Sequence, residues 1–326
     1  MPTTPPPPPP FDPELAAALA ATGQTSFATG ITLDTLAAER EVLRMFTPTL
    51  ADLTADERFE VEEHTAPGPD GAPDVPLLVV RPRGLTGTRP VIYHTHGGGL
   101  IMGDNRYGLH TALEWALELD AVVVSVEYRL APEHPFPAGF DDAWAGLLWT
   151  ARNADRISGD PRRVLLAGGS AGGNLAAALA LRDRDTKEVG VLGQVLLYPM
   201  LDDRNDTASA LQMTGLGVWD RDSNRTGWEA WLSGTGQGEE PSAYASPGRA
   251  EDLSGLAPAF LDVGTAETFR DEVVTYASRI WQAGGQAELH VWPGAFHGFD
   301  QLAPQSALAQ AARDARLRWL RRLLGE

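Results

Sequence analysis

The segment around residues 164–181 constrains the fold more than any other part of the chain. The apolar run VLLA at 164–167 leads through GGSAGG at 168–173 into a stretch rich in alanine and leucine. Such a run predicts a buried strand, and the stretch after it predicts a helix. The small residues beside Ser170 suit a tight turn in which backbone approaches closely. The chain therefore needs a sheet whose strands lead directly into helices.

Strand and helix patterns alternate from about residue 57 to the C-terminus, which predicts an α/β fold. The valine-rich strand at 121–128 and the helical patterns at 270–283 and 308–324 are examples. This alternation is typical of a mostly parallel central sheet with helices on both faces. The chain has 326 residues and no cysteine, so a disulfide scaffold, a cysteine-ligated metal site and a thiol nucleophile are excluded.

Two segments depart from this alternation and define the expected domains. Residues 1–10 contain six consecutive prolines and predict a disordered arm, and residues 11–56 predict helices that contribute to a cap. Residues 57–326 form the expected catalytic domain. Within it, residues 202–247 form an insertion with three tryptophans among polar residues, which indicates a second part of the cap.

Charge and hydropathy limit the partners. The net charge of −18 repels phosphate backbones, so nucleic acid is not an expected partner. No apolar stretch reaches the 18 residues that indicate a membrane span. The N-terminus lacks the basic start and apolar stretch of a secretory signal, so we expect a cytoplasmic protein.

Ser170 is the candidate nucleophile. It is the serine of a G-x-S-x-G motif between strand and helix, the context in which a serine hydroxyl is pushed out of a sheet. The N-terminus of the following helix and the amide of Ala171 favour a developing oxyanion. A plain glycine-rich turn or a phosphate cradle is the alternative, although the acidic residue that a dinucleotide-binding fingerprint requires is not clearly supplied.

A second glycine-rich loop follows an upstream strand. The sequence HGGG at 96–99 predicts that the amides of Gly98 and Gly99 join Ala171 in an oxyanion hole. A metal site beginning with His94 and His96 is one alternative, but no carboxylate follows at a suitable spacing, and no metal is predicted. A simple tight turn is the other.

His297 is the candidate general base, and Glu267 is the candidate acid that orients it. His297 lies in GAFHGFD after the last strand, and Glu267 follows the penultimate strand, with Asp271 in reserve. The chain order serine, acid, histidine is that of α/β-hydrolases. We expect the substrate pocket to involve Leu100, Ile101 and Met102 after the oxyanion loop, together with Trp219 of the insertion.

Together these motifs resemble the bacterial hormone-sensitive-lipase-like esterases of the α/β-hydrolase superfamily. The resemblance rests on HGGG at 96–99, YRLAPEHPFPA at 128–138, GGSAGG at 168–173 and the His297 block, and it covers nearly the whole chain from about residue 57. It implies an α/β-hydrolase core with a helical cap, hydrolysis of short-chain carboxylic esters through an acyl-enzyme, and no cofactor. Family members are often dimers, so it also implies a homodimer. Arg129 and Glu133 are expected to form ion pairs within the fold.

The chain departs from the family pattern at two positions. Gly169 stands where the family usually has Asp, and Glu267 stands where it usually has Asp in its acid motif. An amidase or peptidase would use the same triad, because its chemistry differs mainly in protonating a leaving amine. A small-molecule receptor on the same scaffold is a further alternative, but the presence of Ser170, Glu267 and His297 argues against it.

Overall fold

The computed structural model describes residues 7–22, 30–69, 71–236 and 238–325. Eight strands form one sheet, as predicted. Their bounds are β1 (Phe59–Ala66), β2 (Val75–Pro82), β3 (Arg89–Thr95), β4 (Val122–Val126), β5 (Gly159–Gly169), β6 (Gly193–Leu197), β7 (Ala259–Gly264) and β8 (Ala287–Trp292).

The strand order is β1-β2-β4-β3-β5-β6-β7-β8. The β1–β2 and β2–β4 pairs are antiparallel, and every pair from β4 to β8 is parallel. The carboxyl ends of β3, β5, β6, β7 and β8 therefore meet at one edge of the sheet. Loops at such an edge are where α/β proteins place their ligands and catalytic groups.

Eleven α-helices surround the sheet in the described ranges. Their bounds are α1 (Pro13–Ala21), α2 (Leu36–Met45), α3 (Leu50–Ala55), α4 (Leu109–Glu118), α5 (Ala138–Arg152), α6 (Ala171–Thr186), α7 (Ala208–Gln212), α8 (Arg221–Leu232), α9 (Arg270–Gln282), α10 (Phe299–Leu302) and α11 (Ala307–Leu324). Helix α3 lies within residues 11–56, where helices are predicted, and it begins at a capping box between Thr49 and Asp52.

Helices cover both faces of the sheet. Neighbouring residues of a strand point to opposite faces, so they contact different helices. On β3, Tyr93 donates to the Ala143 carbonyl of α5, while His94 points to the other face, towards α4. The central strands β3 to β7 are buried on both faces, which explains their continuous apolar sequences. The predicted α/β-hydrolase fold is confirmed.

The N-terminal segment packs on the insertion between β6 and β7. The Ile31 amide donates to the Ser223 hydroxyl, and the Thr226 hydroxyl donates to the Ile31 carbonyl. The Asp220 carboxylate accepts from the Gly30 amide. These bonds join the loop before α2 to α8 and its N-terminal cap, so the two departing segments of the sequence contact each other.

Two further predictions concern the ends and surface of the chain. Residues 1–6 of the predicted proline-rich arm lie outside the described residues. In the described remainder of the arm, the Pro7 carbonyl accepts a hydrogen bond from Gln212 of α7. Across the described ranges, no helix combines the length and apolar character needed to cross a bilayer.

Candidate active site

Ser170 lies at the turn between β5 and α6, at the carboxyl edge of the sheet. Its φ of 59° and ψ of −123° are unusual for a residue with a side chain, as expected of a strained strand-to-helix turn. The Ser170 amide donates to the Leu197 carbonyl at 2.9 Å, and the Ser170 carbonyl accepts from Met200 at 3.0 Å. Contacts with the last residue of β6 and with the loop that follows it therefore hold the serine in this conformation.

The glycines of the turn are required by close backbone packing. A Cβ on Gly172 would clash with the Thr95 carbonyl oxygen, and a Cβ on Gly168 would clash with the Gly172 backbone. A Cβ on Gly173 would lie 2.6 Å from Pro199 Cβ. Because β3, β5 and α6 approach so closely here, the motif has little freedom to accept other residues.

The structure brings the three predicted catalytic side chains together. The Ser170 Oγ lies 2.9 Å from His297 Nε2, and His297 Nδ1 lies 2.6 Å from Glu267 Oε1. The second carboxylate oxygen of Glu267 accepts from the Gly264 amide at 3.1 Å. A carboxylate only accepts, so it fixes the proton of His297 on Nδ1 and leaves Nε2 free to take the serine proton.

Aromatic rings that no sequence motif predicts hold His297 in place. Tyr198 and Phe269 contact the imidazole edge-on, with ring centroids 4.9 and 5.2 Å away.

Burial raises the pKa of Glu267, and the neighbouring imidazole opposes that rise. The reserve acid, Asp271, instead accepts from the Ser209 amide and pairs with Arg270.

The loop after β3 presents unpaired backbone donors beside Ser170. Gly98 and Gly99 have φ values of 115° and 64°, which favour glycine. Among the described residues, no acceptor pairs with the amides of Gly98, Gly99 or Ala171. A Cβ on Gly99 would also clash with the ring of Trp219. The loop can therefore approach a substrate oxygen while Trp219 packs over it.

A cavity of about 450 Å³ opens onto Ser170 and His297. Met102 and Trp219 line it, as expected of pocket residues, together with Val42 of α2 and Phe46, which directly follows that helix. Leu100 and Ile101 do not line it, because both side chains are fully buried in the core. Their placement in the pocket was wrong: sequence spacing does not reveal that the chain turns inward after Gly99.

The two upstream histidines do not form a metal site. His96 stacks on Tyr128 and donates from Nδ1 to the Gly97 carbonyl, while His94 contacts Ser125. Burial lowers the pKa of His94 to about 3 and that of His96 to about 4, so both imidazoles are neutral. The described residues contain no group of three or more side chains arranged to hold a metal ion.

A buried ionic network lies behind the histidine, and no sequence motif predicts it. The fully buried Arg316 of α11 donates to Asp262 of β7 at 2.7 Å and also pairs with Asp300 of α10. Asp300 accepts in turn from the Tyr198 hydroxyl at 3.1 Å. Burial alone would raise the pKa of Asp300, but the guanidinium of Arg316 keeps it lowered. The network links β7, α10 and α11 to Tyr198, whose ring contacts His297.

Known proteins share both this sequence and this geometry. A family model described as the alpha/beta hydrolase fold matches residues 92–301. The carboxylesterase NlhH of Mycobacterium tuberculosis is 37% identical over 276 residues, which cover 82% of this chain and 83% of that protein. The chain belongs to the hormone-sensitive-lipase-like carboxylesterases. It is a carboxylic ester hydrolase.

Solved structures of esterases match this carboxylesterase over nearly its whole length. A bacterial heroin esterase superposes with a TM-score of 0.88 at 36% identity, covering 96% of this chain and 98% of that one. The esterase LipW from Mycobacterium marinum superposes with a TM-score of 0.85 at 34% identity, covering 96% of each chain. The resemblance in the sequence motifs is therefore confirmed.

The remaining family motifs of this carboxylesterase have structural roles. Arg129 pairs with the buried Asp142 at 2.7 Å. Glu133 pairs with Arg40 of α2, whose guanidinium also donates to the Ile101 carbonyl. At Gly169, where the family usually has Asp, a Cβ would lie 3.3 Å from the Tyr198 ring. A side chain at this position would therefore pack against Tyr198, the ring that contacts His297.

Proposed function

We propose that the enzyme hydrolyses short-chain carboxylic esters through an acyl-enzyme on Ser170. The observation that carries this proposal is the hydrogen-bonded series from Ser170 through His297 to Glu267, at the base of a cavity. A nucleophile within hydrogen-bond reach of a base, which a third group orients, is the arrangement that activates a serine hydroxyl.

The reaction proceeds in two steps. The Ser170 oxygen attacks the ester carbonyl while His297 Nε2 takes its proton, and the same proton is passed to the leaving alcohol. Water then attacks the acyl-enzyme with His297 again as base. Glu267 stabilises the imidazolium throughout. The amides of Gly98, Gly99 and Ala171 hold the tetrahedral oxyanion, and loss of one such donor typically costs about 3 kcal/mol.

The cap supports a preference for short acyl chains. Val42 of α2 and Phe46, just after that helix, contribute to the cavity wall, and the insertion contributes Trp219. We assign residues 11–56 and 202–247 to this cap and the rest of residues 57–326 to the catalytic domain. A cavity of about 450 Å³ lies towards the lower end of the range of about 300–1,000 Å³ for small-molecule sites.

A series of p-nitrophenyl esters from acetate to long acyl chains tests the proposal. We expect kcat/KM to fall as the chain lengthens, and Ser170→Ala to lose activity by at least about 10⁴-fold while remaining folded. Matched p-nitroanilides separate an esterase from an amidase. Full activity in Ser170→Ala would show that this serine is not the nucleophile. A kcat/KM that does not change with acyl-chain length would contradict the short-chain preference.

A further inference from the structure

The active-site cavity has an inner wall that the ester chemistry does not use. Away from the catalytic loops, the cavity is lined by His94 of β3, Ala167 of β5, and His110 and Thr111 of α4. His94 and Ala167 are register partners on neighbouring strands. The cavity therefore continues from Ser170 along one face of the sheet, beneath α4.

The contacts of His94 determine which of its ring nitrogens carries the proton. His94 Nδ1 lies 2.8 Å from the Ser125 hydroxyl, and that hydroxyl lies 2.6 Å from the Asn105 carbonyl oxygen. A carbonyl only accepts, so the single proton of Ser125 is used on Asn105. Ser125 must then accept from His94, which places the imidazole proton on Nδ1.

His94 Nε2 is consequently a hydrogen-bond acceptor without a partner. The side chain is only 6% exposed, and no donor within the described residues reaches Nε2. Nε2 of His96 is fully enclosed and has no partner, whereas Nε2 of His94 is not fully enclosed. Since His94 lines the cavity, its unpaired acceptor faces the space that a substrate would fill.

An apolar substrate group at this wall would leave the acceptor unsatisfied. The desolvation of an unsatisfied buried polar atom is lost from binding unless the ligand supplies a donor. Burial and the nearby His96 and His110 keep the imidazole neutral, so the nitrogen keeps its lone pair across the working pH range.

We propose that His94 Nε2 accepts a hydrogen bond from a hydroxyl or N–H group on the ester substrate and so selects esters that carry a donor. This inference rests on the proposed function, because the same cavity must hold the ester carbonyl at Ser170. Ser125 is a positioning residue in this account, since it acts only through the tautomer of His94. The donor can belong to the acyl part or to the alcohol part of the ester.

The experiment measures kcat/KM for pairs of esters in which a terminal hydroxyl replaces a terminal methyl. In one set, hydroxyalkyl butyrates are compared with alkyl butyrates of equal length. In the other, ethyl hydroxyalkanoates are compared with ethyl alkanoates. The readout is kcat/KM for the hydroxyl ester divided by kcat/KM for the methyl ester. This ratio does not depend on the fraction of active enzyme. We expect a ratio above one at one chain length in one set.

His94→Phe keeps an aromatic ring but removes the acceptor, and we expect it to lower that ratio by at least about 10-fold. Ser125→Ala keeps His94 but no longer fixes its proton on Nδ1, so this variant should lower the ratio as well. It tests the proposal if His94→Phe does not fold. The matched control is His290→Phe on β8, where the imidazole pairs with Glu288 away from the cavity. Its ratio should equal that of the wild type.

Three outcomes would overturn the proposal. The first is a wild-type ratio below one at every length, and the second is a ratio that is equal in the wild type and both cavity variants. The third is an equal fall in the His290→Phe control. Failure of the proposed function looks different, because then neither ester of any pair would depend on Ser170.

Discussion

The serine side and the histidine side of the active site are held together by different forces. Around Ser170, backbone packs against backbone, and a Cβ on Gly168 or Gly172 would clash with it. Around His297, buried charges and aromatic rings form the support, with Arg316 bonded to two carboxylates. The first side depends on the absence of side chains, and the second depends on their pairing.

This difference determines which substitutions each side tolerates. Steric packing fails when an atom is added, since nearby backbone has nowhere to move. A buried ionic network fails when an atom is removed, because the remaining charges lose their partners.

The orienting acid gives the largest expected effect. Glu267→Gln should reduce kcat by about 10³–10⁴-fold, because an amide can hold His297 in the wrong tautomer. Asp271→Asn is the matched control, since Asp271 bonds to Ser209 and Arg270 instead of His297. Steady-state kinetics on p-nitrophenyl butyrate measures both. The reverse pattern would transfer the acid's role to Asp271.

The ionic network gives the next effect. Arg316→Met should lower the free energy of unfolding by about 3–5 kcal/mol, because Asp262 and Asp300 would remain buried without a counter-charge. Arg321→Met on the same helix removes only the exposed pair with Glu118 and should cost less than about 1 kcal/mol. Urea unfolding compares the two. Equal losses of unfolding free energy would show that the buried network stabilises the fold no more than an exposed ion pair does.

The turn on the serine side tests the steric half of the comparison. Gly172→Ala should cost about 1–3 kcal/mol of unfolding free energy, because its Cβ would meet the Thr95 carbonyl. Gly169→Ala should cost less, since its Cβ would lie 3.3 Å from the Tyr198 ring, which can shift slightly. Thermal unfolding of both variants gives the order. A larger loss for Gly169→Ala would contradict the steric account.

Glu127 is a half-buried carboxylate that lies outside the ionic network of Arg316. Burial raises its pKa to about 7, although the Asn105 amide donates to it. Between about pH 4.5 and 7 the native state keeps a proton that the unfolded state has lost, so the free energy of unfolding falls as pH rises. Glu127→Gln should remove a decrease on the order of 1–2 kcal/mol. Urea unfolding across this range measures it, and an unchanged pH slope would contradict the raised pKa.

The two sides also differ in how far the sequence predicts them. The serine turn, the HGGG loop and the order of Ser170, Glu267 and His297 follow from local motifs, because each motif encodes its own backbone geometry. The family resemblance adds the cap and the ester chemistry. The strand and helix alternation predicts the sheet, with bounds that differ by a few residues.

What the sequence does not reveal depends on contacts between distant segments. Arg316 looks like a surface arginine of a terminal helix, and only the packing of α11 on β7 buries it against Asp262. The inward turn after Gly99 likewise buries Leu100 and Ile101. Tyr198 does carry a signal, since it directly follows β6 at the carboxyl edge of the sheet, where site residues are expected.

The most direct test of the central claim is to trap the acyl-enzyme. The enzyme is mixed with p-nitrophenyl acetate, quenched with acid within the first turnover, and analysed by intact mass and by peptide mapping. We predict a mass increase of one acetyl group on the peptide containing Ser170, and none in Ser170→Ala. An acetyl group on another residue, or turnover without any adduct in Ser170→Ala, would contradict the account.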